Sequence, residues 1–465
     1  MRNDLFDEPL LDRAREHALH FLRTIDERPV GARASREELL HALRVPLSDD
    51  GEDPRAVLDA LAGQADRGVI ASPGPRYFGF VIGGSIPVSL AADWLTSTWD
   101  QNPGIYATSP LSSVVEEIAR EWVLEVLDLP RESSVGFVTG CQMANFTCLA
   151  AARNAVLRRA DWDVESEGLQ GAPRVNVIVG AEAHATIHTS LRMLGFGLRH
   201  ALPVPTDEQG RMRVDALRRL LENVTGPTIV CAQAGNVNTG AIDPIRELAE
   251  VVREHNAWLH VDSAFGLWGR ASRKTRALLD GLDLADSWAT DAHKWLNVPY
   301  DNGICIVRDS AAHRASMTVK AAYLEQTSGV ERDAVDWVPE FSRRARGFTV
   351  YAALRTLGRK GVEDLVDRCC ARARLMAECL AQRHGVRIIN DVVLNQVLVR
   401  FGDSDELTRD VIARVQRDGT CWLAGTTWHD MAAMRISFSN WATSEDDVRR
   451  SADAILRCLE AARHP

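Results

Sequence analysis

With 465 residues, 46% hydrophobic and 25% charged, the chain has an ordinary globular composition, enough for about two or three domains with ample core. A net charge of −10 argues against a general binder of the nucleic-acid backbone. Nine irregularly spaced cysteines, with no CxxC pair, match neither a disulfide framework nor a zinc site. Unpatterned thiols favour a reducing compartment, so a cytoplasmic location is expected and no metal site is.

The first residues carry no apolar signal core. Residues 1–76 are expected to be a helical segment, because Leu11, Ala14, Ala18, Leu22 and Ile25 recur at helical spacing and leave one face apolar. Such a segment packs on a body supplied by the same chain or by a second subunit. Ser72-Pro73-Gly74-Pro75 breaks the chain before a central domain, 77–346. The most apolar stretch, 78–95, is interrupted by Ser85, Pro87, Ser89 and Asp93 and falls short of the roughly 20 apolar residues that span a bilayer. No membrane association is expected.

In the central domain, a helix is expected over 113–128, with Ser113 and Glu116 spaced as a capping box. Short β-rich runs at 135–138, 175–179, 228–231, 258–261 and 304–307 alternate with helical patterns. This alternation predicts an α/β fold with a mostly parallel sheet flanked by helices and ligands at the C-terminal strand ends. A helix over 347–382 opens a smaller C-terminal α+β domain, 347–465, with strands at 393–401 and 434–438 and helices at 404–418 and 444–462.

Three features fall where such a fold binds ligands. Thr139-Gly140-Cys141-Gln142 lies between a strand and a helix, a turn whose free N–H groups suit a phosphate. Many such turns contain glycine, so this signal is weak alone. Asp262, in His260-Val261-Asp262-Ser263-Ala264, ends a strand, where an acid binds a ring nitrogen, a ribose or a metal, or caps the next helix. The third is Lys294, in Asp291-Ala292-His293-Lys294-Trp295. Only four of the 54 Lys and Arg residues are lysines. Lys274 and Lys360 lie in polar surface segments, whereas Lys294 follows a buried-looking run. A lysine can lose its proton and act as a nucleophile where an arginine cannot. A Schiff-base lysine, an acid for the pyridinium nitrogen and a phosphate cup together point to pyridoxal 5′-phosphate (PLP). A lysine held in an apolar, cation-rich pocket would lose its charge more easily and become a nucleophile.

On these residues, and on Ala285-Asp286-Ser287-Trp288, the chain resembles the group II PLP-dependent amino-acid decarboxylases of fold type I over residues 77–357. That family includes the aromatic-L-amino-acid, glutamate and histidine decarboxylases. The resemblance implies that Lys294 bonds covalently to the cofactor, that Asp262 pairs with its ring nitrogen and that Ala264 lies against one ring face. It implies that His184 stacks on the other face, and that Cys141, Gln142, Ser287 and His293 lie on the phosphate side. It implies that Tyr323, in a long segment of little periodicity, returns a proton to the substrate carbon after CO2 leaves. Relatives with phenylalanine there form aldehydes. It further implies a homodimer with the active site at the subunit boundary.

The sequence also departs from that family. Asn236 and Asn238 stand where threonines are common before the cofactor acid, and contacts made by those threonines are expected from the asparagines instead. Asp291 replaces a frequent asparagine; an acid beside a phosphate needs a compensating cation or must point away, so it is not assigned to phosphate binding. Arg435 is left between a structural and a substrate role. Phe80, Val81 and Ile82 match the side-chain pocket and carry no cation, which favours an apolar or aromatic L-amino acid. Other PLP chemistry on the same scaffold, C–C cleavage or aldehyde-forming oxidative deamination, would keep every cofactor residue.

Overall fold

The structure is a computed structural model that describes residues 7–319 and 331–464. Seven strands form the central sheet: β1 (Ser134–Val138), β2 (Asn176–Gly180), β3 (Ala201–Val204), β4 (Thr228–Gln233), β5 (Trp258–Asp262), β6 (Ser287–Asp291) and β7 (Gly303–Val307). Their order is β1-β7-β6-β5-β4-β2-β3. Only β7 runs against its neighbours, β1 and β6. Strands β1, β5, β6 and β7 are buried along their whole length, as expected when helices cover both faces of a parallel sheet.

Because β1, β2, β5 and β6 run in the same direction, their C-terminal ends meet at one edge. That edge collects the Gly140 turn, His184, Asp262 and the segment 291–294. Beyond it lies a second, antiparallel sheet of four strands in the order β10-β11-β9-β8. These are β8 (Val386–Ile388), β9 (Gln396–Phe401), β10 (Ala424–Trp428) and β11 (Met431–Ser437). The long helix Gly347–Ala381 connects the two sheets and is broken at Gly358, whose φ of 59° is one that glycine adopts readily.

The expected helix over 113–128 is the helix Pro110–Val126, and its N-terminus corrects the capping reading. Ser109 precedes the helix, and Pro110 opens it. Ser113 and Glu116 instead face the interior, where Glu116 Oε1 accepts a 2.6 Å bond from Arg343 Nη2. Both side chains are 1% exposed, so loss of either partner would leave a buried, uncompensated charge.

The N-terminal helices Glu8–Thr24, Arg36–Leu43 and Pro54–Ala62 contain no buried residue. Among the described residues, no helix is long and apolar enough to cross a membrane.

Candidate active site

Lys294 follows β6 closely, so the sheet edge sets its backbone position. Gly83 lies directly against it: a Cβ there would stand 1.8 Å from the Lys294 carbonyl oxygen. The Phe80–Gly84 stretch can therefore pack onto the lysine only with glycine at 83. The Lys294 ammonium is 2.9 Å from Asp291 Oδ2. Burial alone would pull its pKa down, but the carboxylates of Asp291 and Asp262 outweigh that effect and hold it above the ordinary lysine value. Buried carboxylates, and not a cation-rich pocket, surround the lysine and stabilise its charged form.

Asp291 ends β6 and is 2% exposed. Its Oδ1 accepts a 2.6 Å bond from the Cys141 backbone N–H, the first residue of the helix Cys141–Arg158. The same oxygen is 3.4 Å from His293 Nε2. Asp291 therefore stands inside the phosphate-side turn, where its charge is balanced by the helix N-terminus and by Lys294. The turn itself is tightly built. A Cβ on Gly303 would meet the Gly140 backbone at 2.4 Å, and one on Gly140 would meet His293 Cε1 at 3.3 Å.

Asp262 ends β5 and is 3% exposed. Its Oδ1 accepts from the Ala264 backbone N–H at 3.3 Å and from the Cys141 thiol at 3.5 Å. Burial, then Asp262 and Asp291, push that thiol well above its ordinary value, so Cys141 is a proton donor here and no nucleophile. His184 caps the helix Ala185–Met193 and lines one small cavity with Asp262. Burial lowers its pKa, with Lys294 and Arg435 adding to that effect and Asp262 and Asp291 opposing it.

His293 is fixed on two sides. Its Nδ1 accepts from the Asn302 backbone N–H at 3.0 Å, and its ring stacks on Tyr300 with centroids 4.1 Å apart. Burial, joined by Lys294, lowers its pKa against the opposing pull of Asp291 and Asp301. Gln142, at the mouth of the turn, accepts from Ser190 Oγ through its backbone carbonyl at 3.1 Å.

Ser287 is not brought to this edge. It opens β6 at the strand end opposite Asp291, fully buried, with its hydroxyl 2.9 Å from both Trp258 Nε1 and His260 Nδ1. The phosphate-side expectation fails there because a strand of this length separates its two ends by several residues' rise. Asn236 and Asn238 also have other work. Asn236 Oδ1 accepts from the backbone N–H groups of Asn238 and Thr239 and so shapes a turn. Asn238 Oδ1 accepts from Thr426 at 3.0 Å and from Arg435 Nη1 at 3.4 Å, tying the two sheets together.

Of the substrate-pocket residues, Phe80 is 56% exposed and tilts over Trp422 at 5.6 Å. Ile82 packs against the same cluster, in which Trp422 stacks on Tyr77 at 5.1 Å, whereas Val81 is buried in the main core. Tyr323 lies outside the described residues. The sequence reading missed Tyr300 and Asn302, which follow Lys294 in a segment without periodicity, and the central position of Asp291.

The parts fit PLP. A part-buried lysine amine, a carboxylate at a strand end, a helix N-terminus cradled by two glycines and a histidine beside the acid supply the required donors and charges. Residues 37–401 match the family described as the pyridoxal-dependent decarboxylase conserved domain. The chain is 31% identical to an L-2,4-diaminobutyrate decarboxylase of Rhizobium meliloti (strain 1021), over 79% of this chain and 74% of that protein. It is 25% identical to an aromatic-L-amino-acid decarboxylase of Bacillus atrophaeus, over 91% of this chain and 89% of that one. Its fold matches the crystal structure of Oryza sativa TDC with PLP and tryptamine at a TM-score of 0.91, 22% identity and coverage of 99% and 98%. With most of its length matched and a site that suits the cofactor, the chain belongs to the pyridoxal-dependent decarboxylase family and is a PLP-dependent lyase.

Proposed function

We propose that the protein converts an L-amino acid with an aromatic or apolar side chain to its amine and CO2, working as a homodimer. The observation that carries the substrate class is the aromatic group Tyr77, Phe80 and Trp422, which adjoins the segment packed on Lys294. Of these, Phe80 is exposed and offers apolar area and stacking to a flat side chain, while Tyr77 is buried beneath Trp422. A relative that acts on aromatic amino acids by name agrees with this reading.

When bound, the cofactor supplies an electron sink for the pair left by the broken Cα–carboxylate bond. The protein's residues do the rest. Lys294 Nζ would hold the cofactor covalently, for which its ammonium must first give up the proton that the ion pair with Asp291 stabilises in the free protein. Asp262 would hold a proton on the ring nitrogen and is itself oriented by the Ala264 N–H and the Cys141 thiol. Gly140, Cys141, Gln142 and His293 would hold the phosphate. Ala264 and His184 would enclose the ring, and Tyr323 would return a proton to Cα.

One observation favours a second substrate class. Arg435 is 8% exposed, its Nε has no hydrogen-bond partner, and among the described residues its side chain bonds only to Asn238. Burial lowers its pKa from the ordinary arginine value, and a substrate carboxylate would restore the lost solvation.

The test is a panel of L-amino acids assayed for CO2, amine and peroxide. Aromatic substrates should lead, and Phe80→Ala should lower their kcat/KM by about tenfold, the cost of one lost aromatic contact. A panel led by acidic amino acids, with turnover abolished by Arg435→Met, would replace the aromatic reading. Tyr323→Phe should divert product from amine to aldehyde, ammonia and peroxide, and an unchanged product ratio would remove Tyr323 from the proton transfer.

A further inference from the structure

Behind His184 runs a chain of polar side chains that the reaction above leaves unused. Trp258 Nε1 is 2.9 Å from Ser287 Oγ, which is 2.9 Å from His260 Nδ1. His260 Nε2 is 2.9 Å from Asn145 Oδ1, and Asn145 Nδ2 is 3.4 Å from Thr186 Oγ1. Thr186 Oγ1 is 2.8 Å from His184 Nδ1. Asn145, His260 and Ser287 are fully buried and Trp258 is 1% exposed, so these groups must satisfy one another.

The donor and acceptor roles run in one direction. An indole N–H can only donate, so Ser287 Oγ accepts there, and the buried hydroxyl's own proton then has His260 Nδ1 as its acceptor among these contacts. Burial pushes the His260 ring down to about 3, which keeps it neutral. With Nδ1 accepting, the one ring proton of His260 sits on Nε2 and is donated to Asn145 Oδ1. Asn145 therefore turns its amide NH2 towards Thr186 Oγ1; the flipped amide would set two donors against each other. The Thr186 hydroxyl proton then goes to His184 Nδ1. The near end agrees independently. The backbone N–H of Thr186, which can only donate, lies 3.3 Å from the same Nδ1.

We infer that Asn145, Thr186, His260 and Ser287 are positioning residues that hold His184 in the tautomer carrying its proton on Nε2. Two donors cover Nδ1, so Nε2–H is the polar atom left to face the bound molecules. His184 then offers a hydrogen-bond donor, and no lone pair, to a substrate carboxylate or carbonyl oxygen. It acts as an orienting donor and not as a base. The inference rests on the placement of His184 beside the cofactor for its consequence, while the tautomer itself is a property of the free protein.

That separation makes the test independent of turnover. Protein labelled with 15N-histidine would be examined without cofactor, the His184 signals being assigned by their loss in His184→Asn. A long-range 1H–15N spectrum should show Nδ1 unprotonated and Nε2 protonated. Ser287→Ala frees His260 Nδ1 to take a proton, and the His184 signals should move to those of a tautomer mixture. In the loaded enzyme kcat should fall about tenfold with little change in KM, as when one oriented hydrogen bond is lost. A proton found on Nδ1 in the unaltered protein would overturn the inference. So would unchanged His184 signals in a folded Ser287→Ala variant. Should that variant not fold, Thr186→Val must disturb the His184 signals while Thr186→Ser preserves them, and equal signals in the two would be equally fatal.

Discussion

At the scale of single residues, Asp291 most changes the picture of the site. A carboxylate that accepts from the Cys141 N–H and pairs with the Lys294 ammonium fills two roles that the cofactor takes over. The phosphate needs the helix N-terminus, and the lysine must become a free amine. Asp291→Asn is therefore expected to tighten PLP binding by about tenfold, because a neutral amide neither repels the phosphate nor retains the lysine proton. The same change should lower the melting temperature of the cofactor-free protein by about 2–4 °C through loss of a buried ion pair. Absorbance titration and thermal unfolding of the apo protein measure the two effects. Weaker cofactor binding would show that Asp291 supports the phosphate side instead of competing with it.

At the scale of elements, buried histidines make the packing of strands and helices sensitive to acid. His260 on β5 and His313 on the helix Ser310–Met317 are both fully buried, and burial pushes each down to about 3 from an ordinary value of 6.5. His313 is held between Ser134 Oγ at 2.8 Å and the Trp337 carbonyl oxygen at 3.0 Å. A depressed folded-state pKa means that the unfolded chain takes up the proton first. The contribution to stability is thus whole above about 6.5 and is lost as pH falls towards 3. Urea unfolding at stepped pH should show stability falling through that window, by up to about 1.4 kcal/mol per pH unit for each histidine. His313→Asn should flatten the slope; an unaltered slope would place the acid sensitivity elsewhere.

Elements differed in how far their residues announced them. The strands at 135–138, 175–179, 228–231, 258–261 and 304–307 were legible because apolar, β-branched runs have few other places to go. Four strands were not. β3 contains Pro203 and survives as an edge strand, and β8 spans only Val386–Ile388. β10 reads Ala-Gly-Thr-Thr-Trp, and β6 mixes polar residues with Trp288, so each is a strand by virtue of its neighbours. Among site residues, Lys294, Asp262 and the Gly140 turn stood out from chemistry at strand ends, and His184 through the family resemblance. Asn145 carried no signal, because its contact with His260 joins a helix to a strand more than a hundred residues away.

For the whole molecule, the N-terminal helices pose a packing question that one chain leaves open. Glu8–Thr24 has an apolar face, yet Leu11 is 57% and Leu22 39% exposed, and Trp94 and Trp99 are 41% and 43% exposed. Exposed apolar area on this scale fits an assembly in which a second copy covers it. Sedimentation should give a dimer, and Leu11→Arg with Leu22→Arg should weaken it and lower activity together; a monomer active at every concentration would end the proposal. Local chemistry set much of this protein in advance. Backbone preference and apolar periodicity specify most strands, and the rarity of lysine beside a strand-end acid specifies the cofactor. Only the folded chain decided that Asp291 faces Lys294, that Ser287 belongs to the core, and that a run of hydrogen bonds reaches His184 from Trp258. Those outcomes depend on which strand ends share an edge and which side chains meet across the sheet, and distance along the chain carries no record of either.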